Sequence, residues 1–167
     1  MGADEDAWVD AAPFRAHLEH VLASTGLSPD VVALAAGVSP TSVAALRQRR
    51  PRHRDRIRSR DARALLSLDP MDLGDLAGQQ VRSLAARRAV AQLRATGCPS
   101  AWIAENSQVD RFTVEELRHG SLAWTTRLTS LRLQALAHRV AATRTRSAAT
   151  PATRIAAMSP APCPDAA

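Results

Sequence analysis

The sequence predicts an all-helical protein made of two tandem small helical units, and three observations lead there. Ala and Leu are abundant while aromatic residues are 3% of the chain and Tyr is absent, a composition that favours helices over strands. Helix start and stop punctuation recurs at short intervals, as Ser28-Pro29, Gly37, Ser39-Pro40 and Pro51. A shift of 71 residues superposes apolar positions of the first half on those of the second, from Val32-Ala33 on Ile103-Ala104 to Leu46-Arg47 on Leu117-Arg118. At 167 residues the chain suits one larger domain or two small ones.

Residues 1–10 carry Asp4, Glu5, Asp6 and Asp10 and read as a flexible acidic arm, with Trp8 and Val9 able to dock on the first helix. The first unit is expected over 11–69. Phe14, Leu18, Val21 and Leu22 lie at helical spacing over 13–24, and Thr25-Gly26 ends that helix. Ser28 is placed to cap a second helix with Pro29 at its first position, and Val32, Ala33 and Ala36 give it an apolar side. Gly37 supplies the left-handed residue on which a helix often ends. Ser39-Pro40 then opens a third helix, expected to reach Arg49, with Val43 and Leu46 buried and Pro51 as its stop. The small Ala33 sits where these two helices must cross closely.

The stretch Gly26–Arg49 resembles the helix-turn-helix of phage repressors and actinobacterial regulators, matching at Ala33, Gly37, Val38, Val43 and Leu46 without a gap. The resemblance implies duplex DNA as partner and a second motif helix that lies in the major groove. It further implies that Pro40, Thr41, Ala45 and Gln48 reach base edges. Thr41 and Gln48 can hydrogen-bond there, whereas Pro40 and Ala45 can only pack, for instance on a thymine methyl.

Charge supports the same reading. All 22 basic residues are Arg, and the net charge is +6. Nine Arg against Asp55 and Asp61 fall between 47 and 63, so the excess is local and directly follows the third helix. Arg47, Arg49, Arg50, Arg52, Arg54, Arg56 and Arg58 are the expected phosphate contacts, the last five alternating as an extended segment would require, with Ile57 as its apolar anchor. A closing helix is expected over 59–68 through Ala62, Leu65 and Leu66, and 70–77 reads as a linker.

The second copy is expected over 78–142. The 71-residue shift also aligns Thr25-Gly26 with Thr96-Gly97, Leu22 with Leu93, Val38 with Val109, Val43 with Val114, Ile57 with Leu128 and Leu65 with Leu136. Gln108 replaces Gly37, which implies a strained or altered turn. The corresponding base readers are Arg111, Phe112, Glu116 and His119, with Arg111 best suited to guanine. Arg118 and Arg127 add phosphate contacts, while Glu115 and Glu116 oppose them. Residues 143–167, rich in Ala, Pro and Ser, read as a disordered tail.

No enzyme is indicated: the carboxylates and histidines form no acid–base or nucleophile constellation, and no Gly-rich phosphate loop occurs. Cys98 and Cys163 have no disulfide or metal spacing, His17 and His20 read as surface histidines, and no metal, cofactor or small-molecule ligand is expected. With an acidic start and no long apolar run, the chain reads as cytoplasmic and nucleoid-associated rather than membrane-bound. The expected role is a sequence-specific transcriptional regulator of repressor type, and a homodimer is compatible with it. The alternative is an assembly module, such as a phage accessory or packaging subunit, in which the second copy mediates oligomerisation and DNA binding is weak.

Overall fold

Two copies of one pattern (strand, three helices, strand, helix) follow one another in the computed structural model, which describes residues 7–48 and 56–148. The first comprises β1 (Trp8–Asp10), α1 (Ala12–Thr25), α2 (Pro29–Ala35), α3 (Pro40–Arg47), β2 (Arg56–Arg58) and α4 (Ser59–Leu66). A connection of α5 (Pro70–Gly74) and a 3-10 turn (Asp75–Ala77) leads to the second. That copy comprises β3 (Gln80–Arg82), α6 (Leu84–Ala95), α7 (Ser100–Ser107), α8 (Arg111–His119), β4 (Trp124–Thr126) and α9 (Arg127–Ala148). The fold is predominantly helical, with two short antiparallel ribbons that the sequence reading did not include.

The capping residues act where the sequence places them. The Ser28 hydroxyl accepts from the Val31 N–H at 3.4 Å and the Ser39 hydroxyl from the Thr41 N–H at 3.2 Å, with Pro29 and Pro40 opening α2 and α3. Gly37 takes a left-handed φ of 71° in the turn between them, and the Val38 N–H reaches back to the Ala33 carbonyl at 2.9 Å. Gln108 repeats that geometry with a φ of 56°, and the Val109 N–H donates to Ala104. The turn is therefore kept despite the lost glycine, at the ~1–2 kcal/mol a left-handed side-chain residue costs.

Four expectations are corrected. The arm is structured at its end: Trp8–Asp10 pair with Arg56–Arg58, Val9 opposite Ile57. The 70–77 stretch is helical and buries Leu73 and Leu76, because its apolar pair completes the first core. Helix α9 runs to Ala148, so 143–148 belong to it rather than to a tail; residues 1–6, 49–55 and 149–167 lie outside the described residues. Finally, the repeat does not hold a constant spacing. Leu18 and Val21 of α1 correspond to Val90 and Leu93 of α6, 72 residues on, so Leu22 is not the counterpart of Leu93. The spacing is 71 through α2 and α3 and 68 from β2 onward: Ile57 matches Thr125, Ala62 matches Ser130 and Leu65 matches Leu133. A shorter α8–β4 connection removes three residues, which the ungapped shift could not see.

Each copy has its own apolar core, and α9 serves both. Leu131 and Ala135, with Leu128 beside them, join the first core, whereas Leu133, Leu136, Ala137 and Val140 join the second. At about 100° per residue, Leu131 and Leu133 point to nearly opposite sides of the helix. Because one rigid element carries both cores, urea unfolding is expected to show a single transition. Leu65→Ala and Leu133→Ala, each removing a fully buried side chain, should each lower its stability by about 2–5 kcal/mol without splitting it.

Candidate nucleic-acid interface

Helix α3 buries Val43 and Leu46 and turns Thr41, Ala44, Ala45 and Gln48 outward. Its C-terminal end is tied to α1: Arg15 Nε donates to the Leu46 carbonyl at 2.8 Å, and Arg47 Nε meets Glu19 Oε1 at 3.0 Å. Three of the four base-reading candidates of the first copy are thus exposed on one short helix. Pro40 is the exception. At the first helical position it is buried, although it borders the cleft beside α3.

The phosphate candidates of the first copy divide in two. Arg49, Arg50, Arg52 and Arg54 lie outside the described residues. Arg56 and Arg58 are exposed on β2, in the extended backbone that their alternation requires, with Ile57 buried between them. Arg56 Nη2 donates to the Trp8 carbonyl at 2.7 Å, and the Arg58 guanidinium lies 5.6 Å from the centre of the Trp8 ring. Arg47 is half-exposed in its ion pair with Glu19; such surface pairs contribute little, so its charge stays available to a stronger anion.

The exposed side of α3 has another part of the chain across from it. It forms one wall of a cleft of about 1220 Å3. Arg56, Arg58 and Trp8 lie along the same cleft, and the last turns of α9 make the opposite wall through Arg139, Ala142, Thr143 and Arg146. Arg139 fixes this overhang from both sides, with Nε 3.7 Å from Asp30 Oδ2 on α2 and Nη2 donating to the Asn106 carbonyl at the end of α7. In the first copy α4 stops at Leu66, the counterpart of Gln134, so the overhang is an addition peculiar to the second copy.

Helix α8 is built differently. Arg111 and Phe112 are exposed at its start, Phe112 at 75%, while Glu116 is half-buried and His119 is exposed with Nδ1 2.9 Å from the Glu115 carbonyl. Arg118 pairs with Glu115 at 2.9 Å. The Ser100 hydroxyl donates to the Glu115 carboxylate and, with Arg118, holds its carboxyl below the ordinary value. Glu115 thereby ties α8 to the start of α7 and neutralises Arg118. Arg127 stands exposed at the start of α9, next to the second ribbon, where the Arg82 guanidinium stacks 4.4 Å from the Trp124 ring. The second copy therefore exposes Arg111 and Arg127, and its other phosphate candidate is already paired.

Sequence reasoning missed Arg146 because it ended the second copy at 142, and missed Arg139, inside that bound, because its contacts to Asp30 and Asn106 are tertiary. The absence of Gly and Pro between Gly120 and Pro151 was the available clue that the helix continues. Among the described residues no group of His, Cys, Asp and Glu could hold a metal ion, and no helix is long and apolar enough to cross a membrane. Comparison with protein-family models, curated proteins and solved structures gave no match.

Asp110 provides a test of how α8 is held. Its carboxylate accepts from Thr113, through the hydroxyl and through the N–H at 2.8 Å, which lowers its pKa. A carboxyl lowered by folding stabilises the native state above its unfolded value and loses that contribution as pH falls through the folded one. Acid titration of stability should therefore show a loss that begins near pH 4 and that is reduced in Asp110→Ala. That variant should also be less stable by about 1 kcal/mol at neutral pH, as measured by urea denaturation.

Proposed function

We propose that the protein binds duplex DNA through α3 and acts as a sequence-specific regulator of transcription. The observation that carries this reading is the outward side of α3, where Thr41 and Gln48 stand exposed with Arg56 and Arg58 beside them. Two hydrogen-bonding side chains on a helix can address base edges in the major groove, and Arg at its margin can hold the phosphates that position it. The Arg run of 47–63 favours the same partner, since a dense positive segment calls for a polyanion. Base reading would rest chiefly on the exposed Thr41, Ala45 and Gln48, with the buried Pro40 contributing less.

The second copy supports a different contribution. Phe112 is 75% exposed on α8 and Trp102 36% exposed on α7, an apolar surface that favours protein contact over base reading. Arg111 is the side chain there that speaks for DNA. Under this second reading the chain assembles through the second copy, and DNA binding is the weaker property.

Selection of bound duplexes from a random pool tests the choice. The wild type should enrich one short motif, Gln48→Ala should relax one or two of its positions at about 1–3 kcal/mol of discrimination, and Arg111→Ala should leave the motif intact. Affinity should fall with log salt at a slope of about −5 to −7 if five to eight Arg meet phosphates. Enrichment of no motif by a discrete oligomer, measured by sedimentation, would favour assembly instead.

A further inference from the structure

Helix α9 ends across from the base-reading candidates of the first copy. Thr41, Ala45 and Gln48 line one side of the cleft, and Ala142, Thr143 and Arg146 line the other. A major groove is about 12 Å wide and ~8.5 Å deep, and one helix of about 10–12 Å with its side chains fills it. When Thr41 and Gln48 touch base edges, base pairs must occupy the space directly beyond them. That space is the cleft, and α9 bounds it. Helix α3 therefore cannot seat in a groove while the last turns of α9 keep their present place.

Those turns are poorly anchored. Val140 is the last residue of α9 to pack against a core, and no described side chain after it joins either one. Thr143 and Thr145 turn their hydroxyls back to the Arg139 and Ala141 carbonyls of the same helix. The contacts that fix the overhang lie one turn earlier, where Arg139 Nε is 3.7 Å from Asp30 Oδ2 and Nη2 donates to the Asn106 carbonyl at 3.2 Å. Terminal turns with few buried apolar contacts open at a small fraction of the cost of global unfolding. We infer that residues 141–148 are an autoinhibitory cover over α3, displaced when a duplex carrying the preferred sequence binds. The inference rests on the DNA reading of α3 and adds its regulation. Apparent affinity then scales with the fraction of molecules whose cover is open.

Proline tests the cover without changing charge. Thr143 is exposed, and Thr143→Pro removes an i to i−4 bond of the helix and redirects the turns beyond it. Thr143→Ala keeps the helix and serves as the matched control. The full-length proteins are titrated with two labelled duplexes, one carrying the motif that wild type or Thr143→Pro selects from a random pool and one lacking it. Thr143→Pro should bind the motif about five- to twentyfold more tightly than the wild type. It should change little on the other duplex, where phosphate contacts do not need base edges to enter the cleft. Thr143→Ala should match the wild type. A second measurement needs no variant: wild-type amides over 143–148 should exchange hydrogen faster once the motif duplex is bound. Unchanged or slower exchange there would overturn the cover. Equal or weaker binding by Thr143→Pro, or the same gain on both duplexes, would also overturn it and leave the DNA reading standing. If neither protein selects a motif, both readings fall.

Discussion

Helix α9 has to satisfy two hydrophobic cores at once, and most of the structure's arrangement follows from that requirement. Leu131 and Ala135 are taken up by the first core, Leu133, Leu136 and Ala137 by the second. A single helix can do this because residues two apart point to nearly opposite sides, so two apolar stripes run along it without competing. Units of this size with few aromatic residues bury little surface alone, and sharing a long helix adds apolar burial to both. Leu73 and Leu76 extend the first core toward the connection, which is why 70–77 is ordered instead of serving as a spacer.

A helix long enough to bridge two cores also reaches past them. Beyond Gln134, where α4 has no counterpart, α9 continues over α2 and faces α3 across the cleft. Arg139 determines where those last turns lie, since its guanidinium meets the Asp30 carboxylate on one unit and the Asn106 carbonyl on the other. Arg132 does similar work about two turns earlier, donating to the Gln108 carbonyl at 3.0 Å. Both Arg thus cap the C-terminal end of α7, where helix carbonyls carry partial negative charge and have lost their intrahelical donors. The left-handed Gln108 is held within this arrangement, so the turn survives without the glycine that its counterpart uses.

Local chemistry made the first copy legible in the sequence. Ser28-Pro29, Gly37 and Ser39-Pro40 each act within a few residues, and their caps and turn appear where expected. The long-range pairings were not legible. Trp8–Asp10 looks like a solvated acidic stretch until Arg56–Arg58 lies beside it, because a three-residue strand has no periodicity to read. The register of the second copy failed for a similar reason: a ribbon tolerates deletions in its connection, and an ungapped comparison cannot follow one. Of the proposed site, the exposed Thr41, Ala45 and Gln48 could be read from helical spacing. The burial of Pro40 and the arrival of Arg139 and Arg146 depend on tertiary placement that spacing does not contain.

The two copies share a backbone pattern but handle charge in opposite ways. In the second, Arg118 is paired with Glu115 and Arg132 is spent on a helix terminus, so these two cations stabilise the chain itself. In the first, Glu19 meets Arg47 at a half-exposed pair that contributes little, Arg56 donates to a backbone carbonyl, and Arg58 lies against an indole. Under the proposed function, duplication would have separated two demands that conflict in one small domain, with the second copy bearing stability and the first keeping its positive field for a partner.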